Sequence, residues 1–347
     1  MGNADPFDFD ESDIEEMNIM EEAKYKAEAE RRQKEIDERK RQETEALELA
    51  AYISGKAIMV IPRDYRFPAM PRTAKVDRYA SVRGLEKPLF LHHPYHVGLL
   101  IDEVAEQCPN AIEAIKALSN SDRIYMEWGQ VVRARPVLLV GPPGSGKSTV
   151  AREYFRSAGY YTKTINVASM TDSLSLAGTH QTYGDAKPSI VSELLAQSKQ
   201  ANPGLILDEI DKAPKGLNNG NVQDTLLQFL EASEAGEFHD VNLNLPINVS
   251  YIRWVLTAND LSKVSEPLRS RCHVVEVQRP TQDQIYPIAT SLIEQIAEER
   301  GLVSGWYSLS EYELDKLKKF CADGDIRKMK RIVELIMDNQ AKAWTRQ

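Results

Sequence analysis

A glycine-rich segment that follows a short apolar run limits the fold of this 347-residue chain more than any other feature. Residues 141–148 read Gly-Pro-Pro-Gly-Ser-Gly-Lys-Ser and fit the pattern G-x-x-x-x-G-K-[ST]. Pro136–Val140 before it has the composition of a buried strand, and helical patterning begins near Lys147. A strand, a glycine-rich loop and a helix in this order predict a phosphate-binding loop.

The residue types of this loop suit the binding of a nucleotide. Glycines let backbone N–H groups converge on phosphate oxygens without clashes from Cβ atoms, and the helix N-terminus adds positive potential. We expect Lys147 to bind the β- and γ-phosphates of ATP, Ser148 to ligate Mg²⁺ and Thr149 to support it. The predicted cofactors are therefore ATP and Mg²⁺, and the predicted nucleotide-binding residues are Gly141, Pro142, Pro143, Gly144, Ser145, Gly146, Lys147, Ser148 and Thr149.

Two adjacent acids, Asp208 and Glu209, follow the apolar run Leu205–Leu207. Acids at the end of a buried strand that lies downstream of a phosphate loop are typical of a metal-and-water site. We predict that Asp208 holds the magnesium ion and that Glu209 polarises the attacking water.

Apolar strand patterns alternate with helical patterns after residue 135, which predicts an α/β fold with a parallel sheet between helices. The predicted strands are Pro136–Val140, Tyr160–Val167, Gly204–Leu207 and Tyr251–Thr257, and the predicted helices between them include Ser189–Gln200 and Val222–Ala232. After Pro280 only helical patterns remain, over about residues 281–300, 309–322 and 325–344. These predict a small all-α lid domain.

The N-terminal part of the chain differs in composition from the rest. Residues 1–22 carry nine acids and no Lys or Arg, which equals the whole formal charge of -9, so the remaining chain is neutral. A neutral body does not favour strong nonspecific binding of nucleic acid. The predicted domains are an acidic disordered tail (1–17), a charged helix or coiled coil that can dock a partner (18–54), a linker (55–85), the nucleotide-binding domain (86–279) and the helical lid (280–347).

The three cysteines lie far apart without C-x-x-C spacing, which argues against disulfides and a zinc site. The N-terminus is acidic rather than basic and then apolar, and no run of 18 apolar residues occurs. We therefore expect a cytoplasmic protein with no membrane partner.

With these motifs identified, residues 130–345, about 60% of the chain, resemble an AAA+ ATPase module, and most closely that of Lon-type proteases. The resemblance rests on the phosphate loop, the acidic strand and the run between them. That run comprises Gly178-Thr-His-Gln-Thr-Tyr-Gly184, Pro188, Asn202-Pro203 and Leu207-Asp-Glu-Ile-Asp-Lys212. The serine–lysine peptidase domain of Lon proteases is not matched, so we expect no protease activity from this chain.

The resemblance implies further site residues. Asn259, in Thr-Ala-Asn, resembles sensor-1, which orients the hydrolytic water, and Arg327 resembles sensor-2, which reaches the γ-phosphate. Arg271 resembles the arginine finger that acts on the next subunit of a ring, with Arg269 as the rival. Tyr183 and Gly184 resemble the pore loop that grips a polypeptide.

Three functions remain open at this point. The leading hypothesis is a homo-hexameric ring that uses ATP hydrolysis to remodel or unfold a protein. The second is a clamp-loader-like ATPase that acts on nucleic acid, because Ser270-Arg271-Cys272 matches the finger of clamp loaders. The third is a regulatory switch in which the nucleotide state controls docking through the N-terminal helix.

Overall fold

The computed structural model of the chain describes residues 11–70, 77–170, 174–180, 186–214 and 221–344. Contacts between Cα atoms divide the chain into two units, residues 1–55 and 56–347. Each unit is described by itself.

The first unit contains one long helix, α1 (Glu11–Ile53). Exposed ion pairs one turn apart join Arg39 to Glu43 (3.0 Å) and Arg41 to Glu45 (2.9 Å), at the spacing where side chains of one helix face meet. The helix begins at Glu11, so residues 11–17, which composition assigns to a disordered tail, are helical. Acidic side chains in a first turn interact favourably with the helix dipole, and Glu and Met are good helix formers, which explains the earlier start.

The second unit combines short strands with helices of one to five turns. The strands are β1 (Ala57–Ile58), β2 (Leu89–Phe90), β3 (Val137–Val140), β4 (Thr162–Asn166), β5 (Gly204–Asp208), β6 (Phe238–Asp240), β7 (Leu245–Ile247), β8 (Arg253–Ala258) and β9 (His273–Glu276). The helices are α2 (Val97–Gln107), α3 (Ile112–Trp128), α4 (Lys147–Ser157), α5 (Leu174–Ala177), α6 (Ile190–Ser198), α7 (Val222–Leu230), α8 (Glu266–Arg271), α9 (Ile285–Glu299), α10 (Glu311–Phe320) and α11 (Ile326–Trp344).

Five strands form a parallel sheet in the order β4-β5-β8-β3-β9. Strand β3 pairs with β8 so that Val140 lies opposite Ala258, and β5 pairs with β8 on the other side. The residues that follow these three strands therefore meet at one edge of the sheet. The edge strand β9 does not appear in the sequence prediction.

The two faces of the sheet bury different side chains, as the period of a strand requires. Leu138 and Leu256 belong to a core that includes residues of α6 and α7, whereas Leu139 and Val255 belong to a second core with residues of α2, α3 and α4. The sheet is thus covered by helices on both faces, as predicted.

The described parts of the predicted linker 55–85, residues 55–70 and 77–85, contribute to the core. Val60, Ile61, Phe67 and Leu85 are buried in the first of these cores, and β1 pairs with β2. Pro62 and Pro68, which suggested a linker, break regular structure without removing the segment from the core, because Phe67 and other apolar residues near them still pack.

A third core lies within the C-terminal helices α9, α10 and α11, where residues such as Ile288, Leu317 and Val333 are buried together. These three helices form the lid, and they lie close to their predicted ranges. Among the residues that the structure describes, no helix combines the length and the apolar character that a membrane span needs.

Candidate nucleotide-binding site

The phosphate loop connects the end of β3 to the start of α4. Gly146 has φ of +89°, a left-handed conformation that favours glycine. A Cβ atom on Gly141 would collide with the carbonyl oxygen of Val277, the residue directly after β9. The glycines at these two positions thus permit a backbone path and a close approach that other residues would hinder.

Lys147, at the first position of α4, points back over this loop. Its Nζ atom donates hydrogen bonds to the carbonyl oxygens of Gly141 (2.8 Å) and Pro142 (3.0 Å), and to Oδ1 of Asn259 (3.0 Å). The side chain is largely buried, and this burial lowers the pKa of Lys147, although the nearby Asp208 acts in the opposite direction. The ammonium group is therefore held at the strand ends by oxygen acceptors.

Asp208 ends β5 and accepts two hydroxyl hydrogen bonds. The Oγ atom of Ser148 donates to Oδ1 of Asp208 at 2.6 Å, and Oγ1 of Thr257 donates to the same oxygen at 2.5 Å. Thr257 Oγ1 also accepts the backbone N–H of Glu209 at 3.0 Å. One threonine side chain from the neighbouring strand thus orients both acids of the predicted metal-and-water site.

Thr257 is a site residue that the sequence analysis missed. The available signal was a hydroxyl residue in the otherwise apolar strand Trp254–Ala258, two positions before Asn259. In isolation that signal is weak, since threonine is common in buried strands.

Glu209 has φ of +60° and ψ of +47°, a conformation that is uncommon for a residue other than glycine. Its side chain is only 18% exposed, and Oε1 lies 2.7 Å from Nζ of Lys212 in an ion pair. A non-glycine residue in this region is held there by its surroundings, which is frequent at functional positions.

A cavity of about 490 Å³ lies between these strand ends and the lid. From the α/β part it is lined by loop residues, Asp208, Glu209 and Asn259, and from the lid by residues that include Leu292 and Arg327. The positive charge of Arg327 contributes to the lowered pKa of Lys147. The structure thus gathers most of the predicted site residues around one cavity, including the lid arginine that is distant in sequence.

Arg271 and Arg269 do not line that cavity. Arg271, at the end of α8, forms an ion pair with Glu231 (Nε to Oε2, 3.0 Å) and donates from Nη1 to the carbonyl oxygen of Pro267 (3.1 Å). Nε of Arg269 is buried, and no hydrogen-bond partner lies near it among the residues that the structure describes. Neither arginine is placed to act on the nucleotide site of its own chain.

Tyr183 and Gly184, the predicted pore loop, lie outside the described residues. The residues that flank them are described. Thr179 donates its N–H to the carbonyl oxygen of Lys187 (3.0 Å), and Oγ1 of Thr179 accepts the N–H of Lys187 (2.7 Å).

A buried aspartate joins both flanks to the hairpin of β6 and β7. Oδ2 of Asp240 accepts hydrogen bonds from N–H of Ser189 (2.9 Å) and Oγ of Ser192 (2.6 Å), and Oδ1 accepts from N–H of Asn242 and Leu243. Asn242 in turn donates from Nδ2 to the carbonyl oxygen of Thr179 at 2.8 Å. Thr179 and Ser189, which lie on either side of the predicted pore loop in the chain, are therefore both bound to one hairpin.

A lysine over a glycine-rich loop, a hydroxyl next to a strand-end carboxylate, and a cavity closed by a helical lid define the class of P-loop nucleotide-binding proteins. Within that class, the family model described as "ATPase family associated with various cellular activities (AAA)" matches residues 137–279. Residues 137–279 are therefore similar to the AAA ATPase family, in agreement with the phosphate-loop geometry.

Curated relatives support the likeness to the Lon ATPase module. "Lon protease homolog 2, peroxisomal" of Pichia angusta is 31% identical over 212 residues, which cover 60% of this chain and 23% of that protein. "Lon protease homolog, mitochondrial" of Mus musculus is 30% identical over 203 residues, which cover 58% of this chain and 21% of that protein. The chain thus matches about a fifth of the length of these relatives.

Among solved structures, "Closed State CryoEM Reconstruction of Hsp104:ATPyS and FITC casein" matches with a TM-score of 0.55 and 18% identity. The match covers 72% of this chain and 48% of that chain. At this identity the likeness shows the fold alone, a parallel sheet between helices.

Proposed function

We propose that the chain hydrolyses ATP to ADP and phosphate with Mg²⁺ at the cavity between the sheet and the lid. The proposal rests on one observation: the hydroxyl groups of Ser148 and Thr257 both donate hydrogen bonds to Oδ1 of Asp208, the residue directly before Glu209. Lys147 binds the β- and γ-phosphates, Glu209 activates the attacking water, Asn259 orients it, and Arg327 contacts the γ-phosphate from the lid.

The residues at this position fit a magnesium ion. Ser148 Oγ and Asp208 Oδ1 lie 2.6 Å apart and are both hard oxygen ligands, which Mg²⁺ prefers together with phosphate oxygens and water. These two residues would hold the ion, which when bound neutralises charge that develops on the phosphates.

We further propose that the active form is a ring of identical subunits, a homo-hexamer by resemblance to AAA+ motors. The position of Arg271 supports this proposal. Arg271 does not line the cavity of its own chain and instead forms an ion pair with Glu231 outside that cavity. An arginine that completes the site of a neighbour requires an oligomer.

The function that we propose for this ring is to remodel or unfold a protein substrate in the cytoplasm. The resemblance of Tyr183-Gly184 to a polypeptide-gripping loop supports it, as does the similarity to Lon ATPase modules. The charged helix, residues 18–54, is the proposed docking segment for a partner protein.

The test is the steady-state ATP turnover of the purified protein alone, with an unfolded polypeptide and with primed DNA, and Glu209→Gln serves as the blank. Stimulation by polypeptide that is lost in Tyr183→Ala, with basal turnover retained, is the expected result. Stimulation by DNA alone would replace this proposal with the clamp-loader-like function. Turnover that equals the Glu209→Gln blank would overturn the ATPase itself.

A further inference from the structure

Five consecutive carbonyl oxygens of the phosphate loop, residues 141–145, each accept a hydrogen bond. Two of them, those of Gly141 and Pro142, accept from Lys147. The other three face elements outside the loop, and each of these elements is a different part of the fold. The carbonyls of Pro143, Gly144 and Ser145 are therefore oriented by groups outside the loop.

The carbonyl oxygen of Pro143 accepts from the guanidinium of Arg279 through Nη2 (3.0 Å) and Nε (3.3 Å). Arg279 lies between β9 and the first lid helix, α9. It also donates from Nη1 to the carbonyl oxygen of Asp323 (3.2 Å) and lies 3.7 Å from the carboxylate of Asp325. This one side chain thus connects the phosphate loop to the turn that precedes α11.

The carbonyl oxygen of Ser145 accepts from Nδ2 of Asn110 at 2.9 Å. Nδ2 of Asn110 also donates to the carbonyl oxygen of Gln278 at 2.7 Å. Two carbonyl partners for one NH₂ group fix the orientation of the amide, since a flipped side chain would place its oxygen against both acceptors. Asn110 therefore holds the loop from the turn between α2 and α3.

The carbonyl oxygen of Gly144, between these two, accepts the backbone N–H of Ile326 at 2.9 Å. This bond comes from the first residue of α11 in the lid. Gly144 also packs directly against the carboxylate of Asp325, where a Cβ atom would collide.

The direction of a carbonyl determines the direction of the next N–H group. In a planar trans peptide the N–H points opposite to the C=O of the same unit. When Arg279 holds the carbonyl of Pro143, it orients the N–H of Gly144, and when Asn110 holds the carbonyl of Ser145, it orients the N–H of Gly146. Gly144 and Gly146 are the two loop residues with left-handed φ, +78° and +89°.

Neither Arg279 nor Asn110 lines the large cavity. We propose that both are positioning residues that aim the amides of Gly144 and Gly146 at the phosphate position before nucleotide binds. Arg279 also contacts Asp323 and Asp325 in the lid, so the direction of the Gly144 N–H group depends on the position of the lid. This inference rests on the proposed binding of ATP at the loop.

The experiment measures the Kd of ADP and of AMP by calorimetry for the parent, Asn110→Ala, Arg279→Gln and Arg279→Lys. ADP binding requires no turnover, so a parent that binds ADP but fails to hydrolyse ATP would refute the proposed function and leave this test intact. Arg300→Gln is the matched control. Arg300 is also an arginine with a carboxylate partner, since it forms an ion pair with Asp338 in the lid (2.6 Å), but it is distant from the phosphate loop in the sequence.

We expect the Kd of ADP to rise on the order of tenfold in Asn110→Ala, Arg279→Gln and Arg279→Lys, and the preference for ADP over AMP to fall, because misaimed amides lose the β-phosphate. Arg300→Gln should bind as the parent does, and thermal unfolding without nucleotide should identify any variant that fails to fold. Parent affinity in Asn110→Ala would overturn the proposal. Loss in Arg279→Gln that Arg279→Lys restores would also overturn it, since that pattern indicates attraction between a charge and the phosphates.

Discussion

Nζ of Lys147 lies 3.0 Å from Oδ1 of Asn259, although 112 residues separate the two in the chain. The contact follows from the sheet, in which β3 and β8 are parallel neighbours with Val140 opposite Ala258. The loop after β3 and the residue after β8 must then meet at the same edge. A residue proposed to bind phosphate and one proposed to orient water are thus joined by one hydrogen bond.

Loss of the Lys147 side chain should affect ATP binding, whereas loss of the Asn259 side chain should affect the rate of hydrolysis. Lys147→Ala should abolish measurable ATP binding, because it removes the cation that faces the phosphates. Asn259→Ala should keep the Kd of ATP within a few-fold and lower kcat on the order of 10²-fold, as expected for loss of a positioned polar group. Equilibrium binding and single-turnover hydrolysis distinguish these outcomes, and equal kcat in Asn259→Ala and the parent would remove Asn259 from the site.

Glu209→Gln should bind ATP and fail to cleave it. The amide keeps the shape of the side chain but cannot accept a proton from water, a contribution of about 10²–10⁴-fold in rate. Lys212→Ala provides a comparison, because it removes the ion-pair partner of Glu209 and leaves the carboxylate. Hydrolysis at the parent rate in Glu209→Gln would show that the assignment of the general base is wrong.

Arg271→Ala should lose hydrolysis and retain nucleotide affinity, because Arg271 lies outside the cavity of its own chain. The loss should be on the order of 10³-fold or more if the guanidinium acts as a finger. Mixing Arg271→Ala with Lys147→Ala protein should restore part of the rate, since each variant supplies what the other lacks. Arg269→Ala is the matched control, and a loss there with no loss in Arg271→Ala would exchange the roles of the two arginines.

The free energy of unfolding should decrease as the pH is lowered, because His93 titrates. Burial lowers the pKa of His93 to about 4 from 6.5, and its ring stacks on Tyr125 with centroids 3.6 Å apart. Between these two pKa values the unfolded chain binds more protons than the folded one, so the stability due to neutral His93 is complete above pH 6.5 and declines as the pH falls toward 4. The decline reaches up to about 1.4 kcal/mol per pH unit.

Urea unfolding of the parent and of His93→Phe, at pH 7 and at pH 5, measures this effect. Phenylalanine keeps the stacked ring and cannot be protonated, so the variant should lose less stability over this range. The same loss in both proteins would contradict the prediction, because it would assign the pH dependence to titratable groups other than His93.

Asp240→Asn should destabilise the second unit by about 1–3 kcal/mol, the cost of leaving buried donors unpaired. The asparagine nitrogen cannot accept the hydrogen bonds of Ser189 and Ser192, which Oδ2 of Asp240 accepts. Hydrogen exchange should show faster exchange of the Ser189 amide. Asp77→Asn, at a carboxylate that pairs with Arg83 and accepts the N–H of Tyr79, is the comparison at a less buried position. Unchanged exchange at Ser189 would contradict this prediction.

The sheet was largely predictable because β3, β5 and most of β8 are apolar runs. The glycine-rich loop after β3 and the two acids at the end of β5 led to the prediction of Lys147, Asp208 and Glu209 as site residues. Strand β9 escaped prediction because its apolar run consists of Val274 and Val275 only, between His273 and Glu276, and a run of two residues is too short to indicate a strand.

The partners of the loop could not be read from the sequence for a different reason. Asn110 and Arg279 donate hydrogen bonds to backbone carbonyl oxygens. Since every residue type has a backbone carbonyl, the sequence does not indicate which residue accepts such a bond. The burial of Val60 and Phe67 was likewise hidden, because prolines nearby indicate irregular backbone and say nothing about whether the side chains pack.

The long helix α1 has a consequence for any protein that binds at its acidic end. Its 43 residues span about 65 Å while helical, but a flexible chain of that length has an end-to-end distance of roughly 35–40 Å. Pairs such as Arg39–Glu43 and Arg41–Glu45 lie in solvent, where dissolved ions weaken them. Ionic strength therefore weakens part of the interactions that keep this segment at its helical length.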